Sequence, residues 1–209
     1  MRYRVFTRLG FAATSLLAAM GPAAAHHPMG GVTPSTFMEG FLSGIGHPVI
    51  GIDHLAFILA IGIAAAYASG GFGIIAAFIA ASSVGVLSHV AELSVPLVEP
   101  LVATSVIVAG AALAAGMTSA RSGWLVLAIV AGLLHGYAFG ESITGAERTV
   151  IGAYLIGLAV IQVAIAGAAM LLTRQFLLPL GLVSTPMRAT GAIVASIGVI
   201  LLAGGLTGA

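Results

Sequence analysis

Four histidines and three carboxylates could do chemistry in this chain, because they lie at the ends of apolar segments where burying an ionisable side chain is costly. The first of them lie in HPVIGIDHLAFILAIG, residues 47–62, which leads straight into apolar sequence. Imidazole and carboxylate ligands without thiolate suit borderline divalent cations, namely Ni²⁺, Co²⁺, Zn²⁺ and Cu²⁺, bound as substrate or as a resident ion. The candidate metal residues are His47, Asp53, His54, His89, Glu92, His135 and Glu141.

Spacing within the first stretch favours a shared site. His47 and His54 are seven residues apart, so they share a face if a helix begins near Pro48. Gly51 then lies between them and leaves room for a neighbouring helix or an ion. Asp53 points about 100° away from His54, which predicts that it orients a ligand rather than binds metal directly.

The later histidines have carboxylates nearby. His89 and Glu92 are three residues apart and are therefore adjacent on one helix face. In LLHGYAFGES, Gly140 lets the chain turn so that Glu141 reaches back towards His135. Each histidine alone is more often hydrogen-bonded to its surroundings, so the metal prediction depends on all of them meeting at one place.

The composition indicates what must position these residues. Hydrophobic residues make up 60% of the 209 residues and charged residues make up 6%. This is too little charge for the solvent-exposed surface of a soluble domain. No basic run is present, so the expected partner is the lipid bilayer and not nucleic acid. The absence of cysteine excludes disulfides, thiolate metal sites and cysteine nucleophiles. We predict an all-α, polytopic membrane helix bundle.

Residues 1–25 have the pattern of a cleavable signal peptide. MRYRVFTR is a basic region, LGFAATSLLAAM is a short apolar core, and an Ala-x-Ala pattern ends at Ala25. The alternative is an uncleaved signal anchor. Cleavage would leave 26–209 as the membrane domain, with His26 and His27 either capturing metal outside or forming a polar tail.

Six apolar segments follow, each long enough to cross a bilayer as a helix. Their short connections predict that neighbours in sequence pack as antiparallel neighbours in space. No internal repeat supports an inverted-repeat transporter. The predicted transmembrane helices lie near 48–68, 72–91, 97–116, 123–140, 149–172 and 188–207.

The distribution of arginine predicts the orientation. Arg121, Arg174 and Arg188 fall in alternate loops, whereas Arg148 alone falls in the mature loops of the other side. By the positive-inside rule both mature termini are periplasmic, in a bacterial inner membrane. The metal residues of three helices then lie at one level, within about 10 Å of the outer surface.

The same stretches resemble the motifs of a known family. HPVIGIDHLAFILAIG resembles the HP-x-x-G-x-DH signature of the HupE/UreJ family, membrane accessory proteins associated with nickel hydrogenases and ureases. SHVAE, residues 88–92, and LLHGYAFGES, residues 133–142, resemble its later histidine elements. The resemblance covers the signal peptide and all six spans, and it implies a nickel or cobalt permease. Phe139 departs from the pattern, because many relatives carry a second histidine there.

The leading hypothesis is a secondary permease, not an enzyme, that takes up Ni²⁺, or alternatively Co²⁺, from the periplasm. No nucleotide-binding motif is present, so the driving force would be the membrane potential or an ion gradient. One alternative is an intramembrane hydrolase that holds zinc with three of the histidines and uses Asp53 or Glu92 as base. The other is a metal sensor or chaperone that hands metal to metalloenzyme maturation proteins.

Overall fold

The computed structural model describes residues 32–118, 120–178 and 184–207. The predicted signal peptide, together with His26 and His27, lies outside them. Within these ranges the chain is helical and has no strand, which confirms the all-α class. A 3₁₀ turn, Glu141–Ile143, follows the fifth helix, and a π-helical turn, Thr173–Leu177, follows the sixth. The described helices are α1 Phe37–Ile50, α2 Ile52–Tyr67, α3 Gly71–Val90, α4 Val98–Ala114, α5 Arg121–Gly140, α6 Arg148–Leu172 and α7 Ser184–Thr207.

Helices occupy all six predicted apolar segments, but they differ in their ability to cross a membrane. In the described ranges, four are long and apolar enough to do so: α3, α5, α6 and α7. Helices α1 and α2 pass the same test only as a pair bent by 81°, which is either a broken span or a re-entrant loop. Helix α4 is apolar but shorter. Six complete spans therefore remain a prediction.

The first segment is not one helix, and the prediction that His47 and His54 share a helix face is wrong. Pro48 lies inside α1, where it cannot donate a backbone hydrogen bond, and the chain breaks at Gly51. Gly51 is extended, with φ −73° and ψ 105°; its N–H donates to the carbonyl of His47 and its carbonyl accepts from Leu55. His47 therefore ends one helix and His54 begins the next.

Helix α1 begins at Phe37, well before the first predicted transmembrane segment, which starts near residue 48. Its start is a capping box, in which the Thr36 hydroxyl accepts from the Glu39 N–H at 3.2 Å. The Glu39 carboxylate accepts in return from the N–H groups of Thr36 and Ser35, at 3.2 and 2.8 Å. The pattern Thr-x-x-Glu thus fixes the start of a 14-residue helix.

Helix α2 is the centre of the bundle and contacts all six other described helices. The closest pairs among those helices are α1 with α6, α3 with α5 and α4 with α7. None of these pairs joins neighbours in sequence, and the first two run parallel, so the prediction of antiparallel sequence neighbours is wrong for the main contacts. The fully buried side chains of α2 include Phe57, Ile58, Ala60, Ile61, Ala64 and Ala65.

Glycine explains the three close pairs. A Cβ added at Gly44 would overlap the backbone of Tyr154, and one at Gly136 would overlap the carbonyl of Ser82. Gly191 meets the α4 backbone in the same way. In lipid, where apolar side chains gain little by leaving their surroundings, such close backbone contact is a principal source of helix association.

The three arginines of the predicted inner side lie at helix ends and turns. Arg174 donates to the carbonyl oxygens of Ala65, Ala66 and Ala68 at 3.2–3.4 Å, which satisfies the last carbonyls of α2. Arg121 lies beside the turn at Gly70, and Arg188 lies beside the turn at Gly116. These contacts give the arginines a structural role as well as a topological one.

The glycine packing can be tested with two substitutions on the same helix. Gly85→Ala should destabilise the protein by about 1–3 kcal/mol, because its new methyl would overlap the α5 backbone at Leu133. Gly73→Ala is the matched control, since nothing lies within 4 Å of its Cβ position. Thermal unfolding in detergent measures both. Equal midpoints for the two variants would contradict the packing described here.

Candidate metal site

The core of the site is a pair of buried imidazoles from two helices. His54 lies in the first turn of α2 and His135 lies near the end of α5. Their Nδ1 atoms are 2.7 Å apart, and both side chains are almost wholly buried. Ser105 of α4 contacts the other ring nitrogen, Nε2, of His135 at 2.9 Å. Three helices therefore meet at this pair.

The hydrogen bonds around the pair determine its tautomers. The Ser105 hydroxyl donates to the carbonyl of Val102 at 2.7 Å, so its oxygen accepts from the Nε2–H of His135. The Nδ1 of His135 then carries the lone pair, and the Nδ1 of His54 provides the hydrogen between them. At 2.7 Å there is room for one hydrogen only. A metal that binds at these nitrogens must displace that hydrogen.

His47 is held by a separate set of hydrogen bonds. Its Nδ1 lies 3.0 Å from both the Ser142 hydroxyl and the Tyr154 hydroxyl. Both hydroxyls donate to the carbonyl of Phe139, at 3.2 and 2.8 Å, so both oxygens can accept from the Nδ1–H of His47. The lone pair of His47 is then on Nε2. Metal-binding histidines are typically oriented by a hydrogen bond of this kind on the opposite nitrogen.

Asp53 lies beside His54 at the start of α2. Its carboxylate accepts from the backbone N–H of His54 at 2.8 Å and lies 3.9 Å from the Nε2 of that ring. The carboxylate is also at the N-terminus of α2, where the helix dipole favours negative charge. Asp53 therefore brings negative charge close to an otherwise neutral pair of imidazoles.

Aromatic rings form the walls of the site. The ring centroid of Phe139 is 4.2 Å from that of His54 and 5.0 Å from that of His47, so Phe139 lies against both histidines. Phe57 lies 4.6 Å from His135. The two histidines of the first stretch are 5.8 Å apart, ring centroid to ring centroid. These walls separate the imidazoles from the lipid and lower the local dielectric.

The other predicted metal residues lie elsewhere. His89 packs against Gly140 and against the ring of Tyr137, whose centroid is 4.5 Å away, and its buried Nδ1 has no hydrogen-bond partner within the described chain. Glu92 and Glu141 are exposed. The structure thus brings His47, Asp53, His54 and His135 together, and it leaves His89, Glu92 and Glu141 outside that group.

The site is not yet arranged as a complete coordination sphere. Across residues 32–118, 120–178 and 184–207, no three His, Cys, Asp or Glu side chains are placed to hold a metal together. Metal–nitrogen bonds of about 2.0–2.1 Å put two nitrogens roughly 2.9 Å apart in the square-planar geometry of Ni²⁺ and roughly 3.3–3.4 Å apart in the tetrahedral geometry of Zn²⁺. The Nδ1 contact of 2.7 Å must therefore open by about 0.2 Å for Ni²⁺ and by about 0.6 Å for Zn²⁺. Binding then requires a side-chain rearrangement or ligands from water.

Comparison with known proteins now identifies the family. The family model described as HupE / UreJ protein matches residues 14–201, which is most of the chain. The chain belongs to the HupE/UreJ family. No curated protein and no solved structure matches it. Membership confirms the resemblance seen in the three histidine motifs, and together with the apolar helices it indicates a membrane protein of a family associated with nickel or cobalt transport or accessory roles.

The sequence did not predict three polar residues of this HupE/UreJ site: Ser105, Ser142 and Tyr154. A signal for Tyr154 was present, because Tyr154 and Gln162 are eight residues apart on an otherwise apolar helix and so share one face. A polar face on an apolar helix indicates a polar interior partner. Ser142 gave no such signal, since it follows a predicted turn.

The position of Phe139 makes the departure from the family pattern testable. Phe139→His would place a third imidazole against both His47 and His54, so Ni²⁺ affinity should rise by about tenfold or more. Isothermal titration calorimetry of the purified protein in detergent measures it. Phe139→Leu is the control, because it removes the ring and adds no nitrogen. Equal affinities of the two variants would show that Phe139 does not border the metal.

Proposed function

We propose that this HupE/UreJ protein is a secondary permease for uptake of divalent transition metal, with Ni²⁺ as the first candidate and Co²⁺ as the second. The observation that carries the proposal is the buried meeting of three histidines from α1, α2 and α5, each with a hydrogen bond that orients its ring. A buried polar cluster is expensive in a membrane protein and typically marks a substrate path.

The ligand chemistry supports a borderline cation. Imidazole nitrogens and one carboxylate are the donors in the site, and the chain has no thiolate. Ca²⁺ and Mg²⁺ require more oxygen ligands than the described group provides. The same donor types also accept Zn²⁺ and Cu²⁺, so selectivity depends on geometry after the histidine pair has opened.

The charge balance favours passage over permanent storage. A divalent cation in the site meets several neutral imidazoles and one nearby carboxylate, Asp53. Its charge is therefore only partly compensated, which limits how tightly it is held; conduction needs binding that permits release.

Inward movement of a divalent cation gains about 4.6 kcal/mol per 100 mV of membrane potential, so uptake needs no nucleotide. Protons compete with the metal for the same nitrogens, so uptake should weaken as the pH falls.

The protein would lie in the bacterial inner membrane, with both mature termini in the periplasm and the histidine site towards that side. Metal released inside would reach metalloenzyme maturation proteins. The arginines at the opposite helix ends support this orientation.

Flux measurements test the proposal. Full-length protein is reconstituted in vesicles that hold a Ni²⁺-sensitive dye, and an inside-negative potential is imposed. We expect Ni²⁺ entry, and we expect about a tenfold or greater loss in His54→Ala and in His135→Ala, because each removes one half of the buried pair.

The control for this experiment is Thr104→Val. Its hydroxyl bonds the carbonyl of Pro100 on its own helix, so entry should be unchanged. If the wild-type protein binds Ni²⁺ but admits none under the imposed potential, the permease proposal fails. A metal chaperone or an intramembrane hydrolase would then explain the site better.

A further inference from the structure

Gln162 is a buried amide deeper in the bundle that the histidine site does not use. It lies on α6, eight residues after Tyr154 and about 12 Å further along the helix axis. Its side chain is 1% exposed, and its Nε2 donates to the Ser82 hydroxyl oxygen at 3.1 Å. Its Oε1 is buried and has no hydrogen-bond partner within the described chain. Nearly all buried polar groups are paired, so this oxygen requires an explanation.

Ser82 also has unused hydrogen-bonding capacity. Its neighbour Ser83 donates to the carbonyl of Ile79 at 3.0 Å, which is the usual arrangement for a helical hydroxyl in a membrane. In the described structure Ser82 forms no such bond and accepts only from Gln162. The pair therefore offers two oxygen atoms, on α3 and α6, that can bind something other than their own helices.

The pair lies next to the histidine site. Gly136, the residue that follows His135, packs so closely on Ser82 that an added Cβ would overlap the Ser82 carbonyl. Ser82 is therefore level with Gly136 and lies beside His135. Gln162 lies about 12 Å further along α6 than Tyr154, the residue that contacts His47. The pair thus adjoins the histidine site next to His135, on the side away from His47.

We propose that Gln162 and Ser82 form a second binding position on the metal path, which receives the cation after it leaves His54 and His135. This inference rests on the proposed permease function. Amide and hydroxyl oxygens are neutral and harder donors than imidazole, so they hold Ni²⁺ or Co²⁺ more weakly. The histidines then select and retain the cation, whereas the oxygen pair lowers the barrier to its passage through the apolar middle of the bundle.

The experiment separates binding from passage in the full-length protein. Gln162→Met keeps a similar length and removes the amide oxygen, and Ser82→Ala removes the hydroxyl. In both variants the initial rate of Ni²⁺ entry into vesicles should fall by about tenfold, while the Kd for Ni²⁺ measured by calorimetry should stay within about twofold. Ser83→Ala is the matched control and should keep both values, because Ser83 bonds only its own helix.

Each other result overturns the inference. If entry and Kd are both unchanged and only the unfolding temperature falls, the pair is a structural link between α3 and α6. If Kd rises as much as entry falls, the pair supports only the histidine site. If the wild-type protein shows no entry, the permease proposal fails and this inference falls with it. If Ni²⁺ entry is normal in the wild type and also in Gln162→Met and Ser82→Ala, this inference fails and the permease proposal stands.

Discussion

A buried imidazole in an apolar bundle requires a hydrogen-bond partner, and in this protein His54 and His135 are partners of each other. The Nδ1 contact between His54 and His135 requires α2 and α5 to meet, and Ser105 adds α4 to the same point. Because α2 contacts every other described helix, its first turn carries His54 into the interior. The break at Gly51 separates α1 from α2, which are bent by 81° relative to each other. His47 therefore approaches His54 from a different helix.

The same contact satisfies both imidazoles within the bundle. One hydrogen bridges the two Nδ1 atoms, so neither of them lacks a hydrogen-bond partner in a low-dielectric interior. Phe57 and Phe139 complete an apolar wall around the rings. Under the proposed permease function, a cation would replace the bridging hydrogen and move the two nitrogens apart. The cost of opening the pair would weaken binding and so favour release of the cation.

Much of the fold could be predicted because its signals are strong in the sequence. Apolar length located all six helical segments, and the common depth of the polar residues brought His47, Asp53, His54 and His135 to one site. The break at Gly51 could not be predicted, because a proline is equally compatible with the first turn of a helix and with the interior of a bent one. The capping box at Thr36 and Glu39 is visible in the sequence and indicates that α1 begins before residue 48.

The helix pairs and the hydrogen-bond partners could not be predicted from the chain alone. Gly44, Gly136 and Gly191 permit close approach, but nothing in their spacing states which helix approaches. Hydroxyls such as Ser142 usually bond their own backbone, so their long-range roles depend on the tertiary structure. The sequence predicts one depth for all seven candidate residues, yet His89, Glu92 and Glu141 lie outside the group, because equal depth does not ensure that side chains face one another.

X-ray absorption at the nickel edge, on full-length protein loaded with one equivalent of Ni²⁺, tests the central claim most directly. The account predicts the scattering signature of at least two imidazole ligands, and it predicts loss of that signature in the double variant with His54→Ala and His135→Ala. A nickel environment of oxygen ligands alone, or an unchanged spectrum in the double variant, would contradict the assignment of this histidine pair as the metal site.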